Sequence, residues 1–265
     1  MRKSTALILL SAMIVSLIIP MAGCSGTFGS PVSGNGHVQT KPFDNTGFDK
    51  VEIDNAFQAD IAYANTFSVD ITMDSNLFDY LDIRQLGSTL HIGLQKNHSY
   101  FDTTQKATIT MPDLRGSNVS GASKTHISNF NSVNDLNIDV SGAGRLDCTN
   151  IKAGDTVIGV SGAGQTTGAL SMASGKFDIS GASTLQLDGT ATNITAEFSG
   201  ASTGRLDNLT VAKANITLSG ASNATINVSN NIDASVSGAS RLYYIGNPTL
   251  GNISVTGAST FTKKP

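Results

Sequence analysis

From Ser117 to Thr262 the chain repeats one short pattern of apolar and polar positions. Two places before a recurrent glycine stand Val119, Val140, Val160, Ile179, Phe198, Leu218, Val236 and Val255, all apolar. Four places before it stand Ile138, Ile158, Phe177, Ala196, Ile216, Ala234 and Ile253, with Ser117 the exception. Between these columns lie Asn118, Asp139, Gly159, Asp178, Glu197, Thr217, Ser235 and Ser254. Side chains alternate across a strand, so the apolar columns face a core and the third faces water. After each glycine a second short strand is predicted, with inward candidates at Leu146/Cys148, Leu185/Leu187, Leu206, Ile226 and Leu242/Tyr244.

The glycine sits in the triplet Ser-Gly-Ala, seven times from Ser120 to Ala239 and once more as Thr256-Gly257-Ala258. Successive glycines are 21, 20, 19, 19, 20, 18 and 19 residues apart. A period near 20 predicts a solenoid, because one such unit cannot bury its apolar face alone and stacking supplies the missing cover. The fold class expected is all-β, a parallel β-helix, right-handed by the crossover rule. At about 4.8 Å per coil its eight repeats span roughly 35 Å. The triplet reads as a corner. Glycine gives a backbone conformation other residues resist, alanine is expected to fill a tight inward angle, and the serines are expected to stack outside.

From Phe48 to Met111 alternation persists in short runs such as Val51/Ile53, Ile61/Tyr63 and Leu90/Ile92/Leu94. Asn76 to Leu86 fits a short helix or a strand equally. Residues 46–116 are therefore expected to form irregular N-terminal coils, and 117–262 the regular ones, of a single domain over 46–262. Residues 24–45, rich in Gly, Ser, Thr, Pro and Asn, read as a flexible tether.

Residues 1–23 have the layout of a secretory signal: Arg2 and Lys3, an apolar run from Ala6 to Ile19, then Pro20 and small residues. Ala22-Gly23-Cys24 resembles a prokaryotic lipobox, although Met21 stands where Leu is usual. Cys24 is thus the expected lipidation site, and membrane attachment would be through that anchor at the cell envelope. The run is short for the roughly 20 residues that cross a bilayer.

Charged residues are only 14% of the chain and the net charge is −3. Such a balance leaves no basic stripe for nucleic acid, which is not expected as a partner. No pair of histidines or cysteines has metal-ligand spacing, so neither a metal nor a cofactor is expected. Gly200-Ala201-Ser202-Thr203-Gly204 matches G-x-S-x-G, but every histidine precedes Ser202 and the match is the repeat itself. Cys148 is expected to pack as a hydrophobe. His126 is expected to be merely solvated, and Arg145 and Arg205 to be outward charges. The ligand-binding candidates are Tyr243, an outward aromatic able to stack on a sugar near Arg241, and the acids Asp188 and Asp207. These two acids and Asn227 each lie seven places after a glycine and are expected to stack.

The repeated Ser-Gly-Ala coils, the leader, and the front-end segments "NAFQADIAY" and "ATITMPDL" resemble the GIN-domain family, also called the putative autotransporter adhesin head domain. The resemblance covers about residues 45–262 and implies a right-handed β-helix on a cell-surface protein, with no catalytic residues to carry over. The reading is a lipid-anchored structural or adhesion module without catalysis, for envelope polysaccharide or a surface protein. A carbohydrate-active enzyme on the same scaffold is the alternative, resting on fold analogy. The charged, proline-ended terminus at Lys263-Lys264-Pro265 favours a monomer.

Overall fold

The computed structural model describes residues 30–264. Cys24 and the expected signal segment lie outside the described residues. The structure is a stack of parallel strands. Strands Gly116–Val119, Leu136–Val140 and Thr156–Val160 lie side by side before their corners, in the register the apolar columns demand. Lys124–Ser128 and Arg145–Lys152 do the same after them. From Gln165 onward the two arms fuse. Gln165–Ile179, Thr184–Phe198, Thr203–Leu218 and Asn223–Val236 each run without interruption from one corner to the next. This is a β-solenoid, and its core is one continuous column of buried side chains from Phe48 to Leu242.

Both apolar columns before the glycine are buried through Val236, and even Ser117, the exception in sequence, is buried. Leu146, Cys148, Leu185, Leu187, Leu206, Ile226 and Leu242 fill the inward positions of the second arm. Val255 alone among its column is well exposed, at 43%, because no strand lies beyond its coil among the described residues.

The corner departs from the expectation in its alanine, while the triplet serines stay at least partly exposed. Every alanine of the triplet is exposed, and the residue after it is buried: Ser123, Gly144, Gly164, Ser183, Ser202, Ser222 and Ser240. Buried hydroxyls therefore stack inside the solenoid, where Ser202 and Ser222 share a hydrogen bond of 3.3 Å and Ser222 donates to the Ser219 carbonyl at 2.8 Å. The glycines hold φ between +65° and +77°. From Ala143 onward, each repeat's alanine N–H donates to the glycine carbonyl of the coil before it, as in Ala182 to Gly162 at 2.7 Å and Ala201 to Gly181 at 2.8 Å. Alanine is outside because its amide, not its side chain, makes the contact.

The front end closes the stack. Strand Lys50–Ile53 lies between Thr89–Leu94 and Gly116–Val119, so the chain leaves its first coil, builds the cap, and returns to the opposite side. The corner of that coil is Asp54-Asn55-Ala56-Phe57, with Phe57 in the buried serine position. Asn55 and Ala56 take φ of +57° and +64°. Asn55 suits this corner because its Oδ1 accepts the Leu94 N–H at 3.0 Å, where the neighbouring coil offers no glycine carbonyl.

Two expectations change here. Asn76 to Leu86 is both alternatives in turn: a 3₁₀ helix Ser75–Tyr80 followed by a strand Leu81–Leu86. Part of the expected tether is structured, since Val38–Phe43 forms a strand antiparallel to Ser68–Asp74. Its side chains are nearly all exposed, which is why no apolar alternation marks it. Backbone pairing, a 2.8 Å Thr40–Thr72 hydroxyl bond and Lys41 Nζ 4.0 Å over the Phe78 ring hold it instead. Buried Asp74 fastens the preceding turn, accepting the N–H groups of Gly36 at 2.7 Å and Thr104 at 2.8 Å.

Candidate functional site

The strands after the corners carry two outward columns, at the third and fifth residues past each glycine. One runs Lys124, Arg145, Gln165, and its neighbour His126, Asp147, Thr167. Strand Gln58–Tyr63 adds Gln58 beside Lys124 and Asp60 beside His126, and Gln105–Met111 adds Lys106 and Thr108 beyond those. Side chains of these columns wall a groove of about 340 Å³ across four strands. Its floor is the buried Ala59, Thr125 and Leu146.

Asp147 is held from two sides. His126 Nδ1 lies 3.1 Å from Asp147 Oδ2, and Thr167 Oγ1 donates to Asp147 Oδ1 at 2.6 Å. Lys106, Lys124 and Arg145 are exposed and make no ion pair among the described residues. The groove therefore sets two cations and two amides beside two carboxylates, Asp147 engaged by its neighbours and Asp60 exposed. Such a surface can hold an anion and exchange hydrogen bonds with hydroxyls.

The residues singled out by sequence fall elsewhere. Arg241 and Tyr243 are outward and two apart on one strand, in line with the Lys124 and His126 columns as expected, with Tyr243 between Thr225 and Thr262. Five strand spacings separate Tyr243 from Asp147, about 24 Å, so the pair lies outside the groove. The expected ladder of Asp188, Asp207 and Asn227 does not form. Register passes from Gln186–Arg205 to Gly189–Leu209, and from Leu206–Ile226 to Thr210–Asn227, so Asp207 sits in a bulge and Asn227 falls opposite Thr210. Unequal coil lengths are taken up there. Ser202 is fully buried, which removes the nucleophile reading of its motif.

Cys148 is buried beneath this sheet, next to Gly168 in the inward column. Loss of solvent, and secondarily the charge of Asp147, push its thiol pKa far up, so it stays a protonated packing group. Among the described residues no three His, Cys, Asp or Glu side chains gather as a metal site, and no helix is long and apolar enough to cross a membrane.

Sequence reasoning passed over His126 and Arg145 individually, although counting from the glycine places both on the groove. Gln58 and Asp60 carried no such signal, because their coil has Asn55 in the glycine position.

A family profile described as "Putative auto-transporter adhesin, head GIN domain" matches residues 47–248. No curated protein is similar enough to stand as a relative. Several solved structures share the fold. A putative adhesin from Parabacteroides merdae aligns with a TM-score of 0.83 at 20% identity, over 89% of this chain and 100% of that one. A putative lipid binding protein from Parabacteroides distasonis gives 0.79 at 19% over the same shares. A putative adhesin from Bacteroides fragilis gives 0.70 at 20%, over 88% and 100%. At these identities the likeness is one of fold.

Proposed function

The chain belongs to the head GIN domain family of putative auto-transporter adhesins, and from that premise we propose that it is a lipid-anchored envelope module that binds an extended polysaccharide without turning it over. The observation that carries this reading is the groove: in-register polar columns on a rigid parallel sheet, with cations left unpaired beside a carboxylate fixed by His126 and Thr167. Rigid elements cost little ordering on binding, and an open groove along a sheet suits a ligand longer than one sugar. The anchor rests on Ala22-Gly23-Cys24, with the residues before Val32 as spacer.

A glycoside-cleaving enzyme would need two carboxyl groups flanking the bond, one of them free to give its proton to the leaving oxygen. Of the two acids on the groove, Asp147 is engaged on both oxygens by His126 and Thr167, so the binding reading is preferred.

The test uses residues 30–265, which carry the whole buried core. Binding is measured on an array of envelope and extracellular glycans, and every hit is assayed for chain shortening or unsaturated products. Selective binding without products is the expected result; product formation would replace this reading with the enzyme. For the anchor, Cys24→Ser in the full chain should shift the protein from the membrane to the soluble fraction.

A further inference from the structure

We infer that the groove recognises the carboxylate groups of an acidic polysaccharide, with Lys124 and Arg145 as the anion-reading residues; this rests on the glycan-binding reading above and names its ligand class.

The first ground is how charge is placed. The chain has 17 Lys and Arg against 20 Asp and Glu, and only 14% charged residues. Yet the column Lys106, Gln58, Lys124, Arg145, Gln165 holds three cations and no acid over five neighbouring strands. Lys124 and Arg145 are direct cross-strand partners. Like charges so placed destabilise a sheet, and a bound anion would relieve that repulsion. Asp147, two residues along the strand from Arg145, has its oxygens turned to His126 and Thr167 rather than to the cations.

The second ground is the neighbouring column. Asp60 and Asp147 lie one side-chain row from the cations, roughly 7 Å away along the strand. A polymer with a dense charge on every backbone unit, such as a nucleic acid, would be pressed against these carboxylates as well as drawn to the cations. A sugar chain with one carboxylate per unit and hydroxyls elsewhere meets both columns well. Its carboxylates face Lys124 and Arg145, its hydroxyls donate to Asp60, and Gln58 and Gln165 exchange hydrogen bonds at either end. Attraction in one column and repulsion in the next supply selectivity that attraction alone would not.

The experiment is calorimetric titration of residues 30–265 with polygalacturonate, with its fully methyl-esterified form, and with dextran sulfate. Lys124→Gln/Arg145→Gln is compared with Lys176→Gln/Lys213→Gln, which removes the same charge from exposed positions outside the groove. Unchanged melting temperatures would show both variants folded. The expected result is binding of polygalacturonate that weakens with added salt, falls at least tenfold in the groove variant and changes less than twofold in the control. The methyl ester and dextran sulfate should each bind at least tenfold more weakly than polygalacturonate. Equal losses in both variants, or equal binding of the methyl ester or dextran sulfate, would overturn the carboxylate assignment while leaving glycan binding standing. No binding of any array glycan would overturn the glycan-binding reading itself.

Discussion

Replacing Gly181 with alanine tests what holds one coil on the next. Gly181 has φ +73°, and a Cβ there would stand 2.5 Å from the carbonyl oxygen of Gly162 and 3.0 Å from its nitrogen. That carbonyl is the acceptor for Ala182 N–H at 2.7 Å, so it cannot retreat without opening the ladder between corners. Alanine in the left-handed region costs about 1–2 kcal/mol. Overpacking against fixed backbone adds about 1–3 kcal/mol, and the lost hydrogen bond about 0.5–1.5 kcal/mol. Gly181→Ala should therefore lower the unfolding free energy by about 3–6 kcal/mol.

Gly47 is the internal control: its φ is +74°, but nothing lies within 4 Å of an added Cβ. Gly47→Ala should lose only the conformational part, about 1–2 kcal/mol. Ala182→Leu, at an exposed corner position, should stay within about 0.5 kcal/mol of the parent. Urea unfolding followed by circular dichroism serves, since the chain has no tryptophan. Equal losses for Gly181→Ala and Gly47→Ala would refute the claim that the close approach of coils, rather than φ alone, requires glycine. A loss for Ala182→Leu as large as for a core position would restore the inward alanine.

Two other perturbations have signs set by the structure. The buried Cys148 thiol keeps its proton well above the ordinary value near ~8.5, whereas the unfolded chain releases it there. In that window the unfolded state binds fewer protons, so stability is whole below it and falls by about 1.4 kcal/mol per pH unit as pH rises. Urea midpoints from neutral pH upward should show this decline in the parent, and Cys148→Ala should lack that part of it; parallel curves would reject the assignment. Asp74→Ala removes the buried acceptor of the N–H groups of exposed Gly36 and half-buried Thr104, at a cost of about 1–3 kcal/mol. Amide exchange should quicken in Val38–Phe43 and Ser68–Asp74 and stay slow in the glycine-cornered coils; a uniform change would show that the cap is not a separate unit.

The glycine-centred repeat made the solenoid legible, and its limits explain what was misread. Period two, counted on both sides of the exposed glycine, puts the residues two before, two after and four after on the inside. That count gives Val160, Gly164 and Thr166 around Gly162, all buried. Alanine was set inside on its size, against the count, and the count was right. The same count places Lys124, His126, Arg145 and Asp147 on the groove, three and five residues past their glycines, where coils are still tied by the corner ladder. Seven places on, it fails, because coils of 19, 20 and 18 residues must absorb their differences somewhere, and the bulge at Asp207 is one such place. Strand Val38–Phe43 lay outside any count, since exposed side chains on an edge strand leave no period to read. Distance from the glycine thus decides how far a residue's position can be trusted from sequence. By that measure Lys124, His126, Arg145 and Asp147, close to their glycine corners, are placed by the sequence itself, while Gln58 and Asp60 are not, and the acids at Asp188 and Asp207 were joined only by arithmetic that the backbone does not keep.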